Sequence, residues 1–187
     1  QLCAGETLYL RGGVYFENVK CAVVGEKTKP ITIRSYPGEE AVVDGGLREF
    51  QEAPATSWEL APGGAPGEYR TVKTYKNIRD VAGLFGDSMV GLQTYWHRMD
   101  LQSENELWTP DPDKKLMVLP VYCGPGLWYD KIDGRIHARL AHTHIDNPRV
   151  ANYRGETDPR KLPLVIAPFN SVPLLVDQAM HVRFQDL

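Results

Sequence analysis

The chain has 187 residues, 42% of them hydrophobic, with a formal net charge of -3 and a pI of about 6.0. That is enough length and apolar content for one folded domain, or one domain carrying a large insertion, and it excludes a disordered segment. No cluster of Lys and Arg is dense enough to bind a phosphate backbone, which argues against nucleic acid as a partner, and the longest apolar runs, such as Leu162 to Phe169, are too short and proline-broken to span a bilayer.

The 17 Gly, 14 Pro, 9 Tyr and 4 Trp, with apolar residues in short runs between turn residues, favour strands and loops over helices. The first fifty residues carry a repeat. Thr7-Leu8-Tyr9-Leu10-Arg11 and Pro30-Ile31-Thr32-Ile33-Arg34 match at an offset of 23, setting Leu8 over Ile31, Leu10 over Ile33 and Arg11 over Arg34. Both alternate with period two, so the aliphatic side chains share one face of a strand and the others point away. Between and after them lie Val14-Tyr15-Phe16, Ala22-Val23-Val24 and Ala41-Val42-Val43, bounded by Gly12-Gly13, Gly25 and Asp44-Gly45-Gly46. A unit of about 23 residues with two or three short strands is the length of one β-solenoid coil; an antiparallel meander is the alternative. Cys3 and Cys21 would form a disulfide if their strands are neighbours, or remain buried thiols. With Cys123 the count is odd, and the absence of any C-x-x-C spacing argues against a cysteine zinc site.

The runs Ala4 to Tyr15, Lys29 to Glu39 and Val42-Val43-Asp44-Gly45-Gly46 together resemble the first coils of right-handed parallel β-helix proteins. These include the polysaccharide lyases related to chondroitinase B and alginate lyase, and many uncharacterised secreted bacterial proteins. The resemblance covers about 45 residues and is specific for fold rather than activity. It implies an all-β, right-handed parallel β-helix fragment.

Residues 1–50 then form the first coils, 51–162 a β-rich insertion, and 163–187 a return to coils. Within the insertion, Glu52-Ala53-Pro54-Ala55 and Ala61 to Gly67 read as loop, with short strands at Trp58 and at Tyr69-Arg70-Thr71-Val72. Gly83, Gly86 and Gly91 count against a helix over Asp80 to Gly91. Asp133-Gly134, between Gly126 to Asp130 and Gly134 to Leu140, is a strong hairpin signal. Pro163 to Ala167, Pro173 to Val176 and His181 to Leu187 read as returning coils. The last strand runs to the final residue and the first coil lacks a polar cap, so both ends are expected to be truncated.

Tyr95-Trp96-His97-Arg98-Met99-Asp100 joins aromatic faces that stack on sugar rings to a proton carrier and charged donors; a strand with Trp96 buried is the plainer reading. Arg135, His137 and Arg139 would line one face of a strand whose other face is Ile136, Ala138 and Leu140. That row suits an anionic glycan, or else is an ordinary solvated face. With Trp128 as a further stacking surface, the candidate substrate-binding residues are Trp96, His97, Arg98, Trp128, Arg135, His137 and Arg139. His142 and His144 near Asp146 give a weak H-x-H pattern, and no metal ligand is assigned. Ser88 and Ser171 sit in no G-x-S-x-G motif, and Gly12-Gly13 and Gly45-Gly46 lack phosphate-loop spacing.

The resemblance implies a secreted, periplasmic or cell-surface protein, part of a carbohydrate-active enzyme, either polysaccharide lyase or glycoside hydrolase. Its substrate would be an acidic polysaccharide, and calcium is a cofactor compatible with the family. The resembled lyases place a catalytic Lys or Arg on central coils that would lie beyond Leu187, so no catalytic residue is assigned. The rival expectation is a binding module, adhesin or surface scaffold without a reaction.

Overall fold

The computed structural model describes residues 2–76, 81–85, 90–106, 120–144 and 153–187. In chain order it runs β1 (Thr7–Leu10), β2 (Gly13–Phe16), β3 (Val19–Cys21), β4 (Ile31–Ser35) and β5 (Ala41–Asp44), then α1 (Arg48–Glu52) and α2 (Pro54–Ser57). Next come β6 (Trp58–Leu60), β7 (Glu68–Thr71), β8 (Val81–Phe85), β9 (Val90–Gly91), β10 (Gln93–Thr94) and α3 (Arg98–Gln102). The chain closes with β11 (Gly126–Tyr129), β12 (Ile136–Arg139), a 3-10 turn at Pro159–Lys161, β13 (Leu164–Pro168), β14 (Leu174–Val176) and β15 (Val182–Gln185). The described chain is mostly β, in small sheets of mixed direction with a few short helices. It divides into two compact units, Gln1–Gly46 with Ser171–Leu187, and Leu47–Asn170.

Every strand pair of the first unit is parallel: β1 and β15 flank β4, β2 pairs β5, and β3 pairs β14. Parallel pairing is what a repeated period-two segment permits when neighbouring copies run the same way. The register differs from the repeat read in the sequence. Leu8 lies beside Ile33, not Ile31, and Leu10 beside Ser35, not Ile33. A slip of two residues preserves the faces because the side-chain period is two. Arg11 and Arg34, equivalent in the sequence repeat, have different partners: Arg11 holds Glu39 (Nη2 to Oε1 2.6 Å), while Arg34 holds Asp186 (2.6 Å). In β15, Val182 and Phe184 are half-buried while Arg183 and Gln185 are exposed, the alternation of a one-sided strand. Ser35 closes the unit locally, accepting from Ala41 N and donating to Asp186 O. Cys3 and Cys21 form no disulfide.

The second unit is built on a five-stranded sheet of order β10-β11-β12-β7-β6. β11 and β12 form the antiparallel hairpin signalled by Asp133-Gly134, and Gly134 takes the positive φ of 74° that the turn requires. Below the sheet, Ile136, Ala138 and Leu140 pack with Leu127, Tyr129, Phe50, Trp58, Leu164 and Ile166 in one apolar core. Leu164–Pro168, read from sequence with the returning coils, instead pairs antiparallel with β8 in this unit. α3 lies over the other face through Leu101, which is fully buried with Tyr95 and Tyr122. Central β12 is therefore buried on both faces.

Candidate functional site

The covered face of the sheet gathers several of the sequence-selected residues around one that sequence reasoning passed over, Glu68. It begins β7, and its side chain is fully buried. One carboxylate oxygen accepts from His137 Nδ1 (2.7 Å) and Arg98 Nε (2.9 Å); the other accepts from Gln102 Nε2 (2.6 Å) and the amide of Ala65 (2.8 Å). Burial would raise its pKa, but these four donors outweigh it and hold the carboxyl at about 2. The sheet explains the meeting: Glu68 lies opposite Arg139 in β7–β12 pairing, so it shares a face with His137 two residues along β12. α3 delivers Arg98 and Gln102 from one helical face at i and i+4.

Trp128, directly opposite His137, lies 4.9 Å from it between ring centroids, and the Arg98 guanidinium sits 5.8 Å from the indole centroid. Glu68 thus fixes Arg98 and His137, and through them the half-buried Trp128. Trp96 is 70% exposed and His97 is also exposed, both immediately before α3. Trp96 is therefore not the buried strand residue of the plainer sequence reading, since the chain turns into a helix at Arg98. The exposed Trp96 ring and the partly exposed Arg98 guanidinium beside Trp128 are chemical types that can stack on and pair with an anionic ring.

The expected cationic row along β12 does not exist as a solvent face. His137 is 2% exposed and Arg139 9% exposed. Arg139 Nη1 donates to the carbonyls of Leu101 (2.9 Å) and Ser103 (2.8 Å), and Nε donates to Pro66 O (3.3 Å). It thereby caps the open carbonyls at the end of α3, while its guanidinium stacks 4.4 Å from the Tyr122 centroid. Arg135 Nη1 donates to the carbonyls of Thr71 and Val72 and reaches Glu59. The alternation in the sequence marks the apolar face correctly but cannot tell a solvated polar face from a covered one whose groups are paired.

Beneath α3, Tyr95 donates to Gly124 O (2.6 Å) and accepts from Cys123 N (2.8 Å), and Tyr122 donates to the carbonyls of Arg139 and Ala141. Burial pushes both phenols well above the ordinary tyrosine range. They are scaffold, not proton carriers. The H-x-H pattern does not converge: His142 Nε2 faces Gly155 O (2.8 Å), His144 Nδ1 faces Glu106 (3.1 Å), and Asp146 lies outside the described residues, as does Ser88. Ser171 donates to Asn18 and Gly45 O, a structural link.

A separate open cleft of about 480 Å³ is lined by α1 and α2 with Lys73 and Tyr75. Both of these donate to Glu49 Oε1, at 2.9 and 2.7 Å.

Comparison with known proteins finds no matching family model and no matching solved structure. Over 62 residues the chain is 37% identical to pectate lyase PEL9 of Emericella nidulans. The match covers 32% of this chain, which spans 14% of the length of that relative.

Proposed function

We propose that this chain belongs to a right-handed parallel β-helix protein of the polysaccharide lyase type, acting outside the cell on a uronate-containing polysaccharide. The likeness over 62 residues to a pectate lyase carries this reading. The parallel pairings of the first unit support it, because stacked parallel strands are how a β-helix is made. The site residues with surface left to meet a glycan are the exposed Trp96 and His97 and the partly exposed Arg98 and Trp128; His137 and Arg139 act as supports within the sheet.

A lyase breaks a uronate chain by removing the proton at C5 and expelling the oxygen at C4, leaving a C4–C5 double bond that absorbs in the ultraviolet. A hydrolase leaves new reducing ends without that absorbance. The test is incubation of the full-length protein that carries this chain with polygalacturonate, alginate and a neutral glucan, following absorbance and reducing ends together. Rising absorbance with a uronate polymer is the expected result. Retention by polygalacturonate in affinity electrophoresis without either product would favour a binding module, and no retention and no product would overturn the polysaccharide reading.

A further inference from the structure

We propose that Asp130, Asp133 and His137 form a site for one divalent first-row transition metal ion at the β11–β12 turn, with Glu68 orienting its imidazole from behind. One ligand atom from each of the three residues lies within 4.8 Å of the others. Ligands around a tetrahedral ion with bonds of about 2.1 Å stand about 3.5 Å apart, so a small rotation of exposed Asp133 closes the set.

The imidazole supplies the second observation. His137 is 2% exposed, and its Nδ1 is fixed against the Glu68 carboxylate at 2.7 Å. The hydrogen bond to Glu68 occupies Nδ1 and leaves Nε2 as the ring nitrogen not engaged by that carboxylate. Nε2 has no hydrogen-bond partner among the described residues. A carboxylate hydrogen-bonded to one nitrogen of a histidine that stands beside two more carboxylates is the arrangement by which metal-ligating imidazoles are oriented and made more basic.

The turn prepares the acidic ligands in the same way. Asp130 Oδ1 accepts from Ile132 N (2.8 Å), and Asp133 Oδ1 accepts from Arg135 N (2.8 Å). Each carboxylate is thus anchored by one oxygen and offers the other. The competing cation is Arg135, whose Nε stands 3.9 Å from Asp133 Oδ2, but its Nη1 is committed to the carbonyls of Thr71 and Val72. Two carboxylates and one imidazole suit zinc, manganese or iron(II), and the nitrogen ligand argues against calcium. The inference does not rest on the polysaccharide reading.

The experiment titrates chelator-treated protein with Zn²⁺ and with Co²⁺. One equivalent of Zn²⁺ is expected to bind, to shift the Nε2 and not the Nδ1 nitrogen resonance of His137, and to survive excess Ca²⁺. Co²⁺ should give visible bands of a low-coordinate nitrogen and oxygen site in the unmutated protein. Asp130→Asn and Asp133→Asn keep the oxygen that closes the turn, so both should fold and each should lose roughly tenfold or more in Zn²⁺ affinity. Absence of Zn²⁺ binding, a His137 spectrum unchanged by Zn²⁺, or unaltered affinity in both variants would overturn the proposal. So would displacement by Ca²⁺.

Discussion

Replacing Glu68 by Gln tests whether the buried carboxylate organises the second unit. The substitution keeps shape and volume but turns one oxygen into an NH₂ group. That group must face two donors, either His137 with Arg98 or Gln102 with the amide of Ala65. Losing one partner of a buried charged network costs about 3–5 kcal/mol. The folded carboxyl gives an independent figure. Its pKa falls from 4.5 to about 2, and at about 1.4 kcal/mol per unit this corresponds to roughly 3 kcal/mol of stability near neutral pH. For a chain of this size that lowers the unfolding midpoint by about 6–12 °C. Because the folded pKa is depressed, the contribution is fully present above pH 4.5 and is lost as pH falls toward 2. Thermal unfolding followed by circular dichroism should therefore show the full gap between wild type and Glu68→Gln at pH 7, and a closing gap between pH 4.5 and 2. A gap below about 1 kcal/mol at pH 7, or one that persists unchanged at pH 2, would refute the reasoning.

Arg139→Met keeps the aliphatic stem but leaves the carbonyls of Leu101, Ser103 and Pro66 without their donor. Urea unfolding should show a loss of about 2–4 kcal/mol, whereas an exposed arginine would cost almost nothing. Trp96→Ala removes a side chain that is 70% exposed, so its unfolding midpoint should stay within about 2 °C of wild type. On the polysaccharide reading it should still weaken retention by polygalacturonate about tenfold, since an aromatic face contributes on the order of 1–2 kcal/mol to a stacked contact.

What the sequence made legible was local. The period-two runs became strands at Thr7–Leu10 and Ile31–Ser35, the short apolar run before Asp44-Gly45-Gly46 became Ala41–Asp44, and Asp133-Gly134 became the turn it signals. These rest on backbone sterics and on one buried face, which a few neighbouring residues determine. The register of β1 on β4 was not legible, because a slip of two leaves every side chain on its own face. The five-residue helices α1 and α3 escaped notice because each spans little more than one turn, too short for a 3.6-residue period to show. Glu68 carried no signal at all: it stands between a Pro-Gly turn and a short strand, and only the packing of α3 over the sheet makes it the centre of a network.

The structure separates two roles that residue type alone merges. Arginine, histidine and tryptophan are the residues that bind an acidic sugar, and they are also the residues that join a covered sheet face when their polar atoms find partners. His137 and Arg139 use their donors inside the protein, so replacing them removes structure before it removes recognition. On the polysaccharide reading Arg98 would do both, with one nitrogen on Glu68 and the guanidinium beside the Trp128 ring. A carboxylate that stays ionised down to about pH 2 keeps Arg98 in place across neutral and mildly acidic conditions. The entropy of ordering that long side chain is then met during folding and not during binding, which is the advantage of a preorganised contact. Trp96 has no such support and must be ordered by whatever it touches, which makes it the residue whose contribution to binding can be read without disturbing the fold.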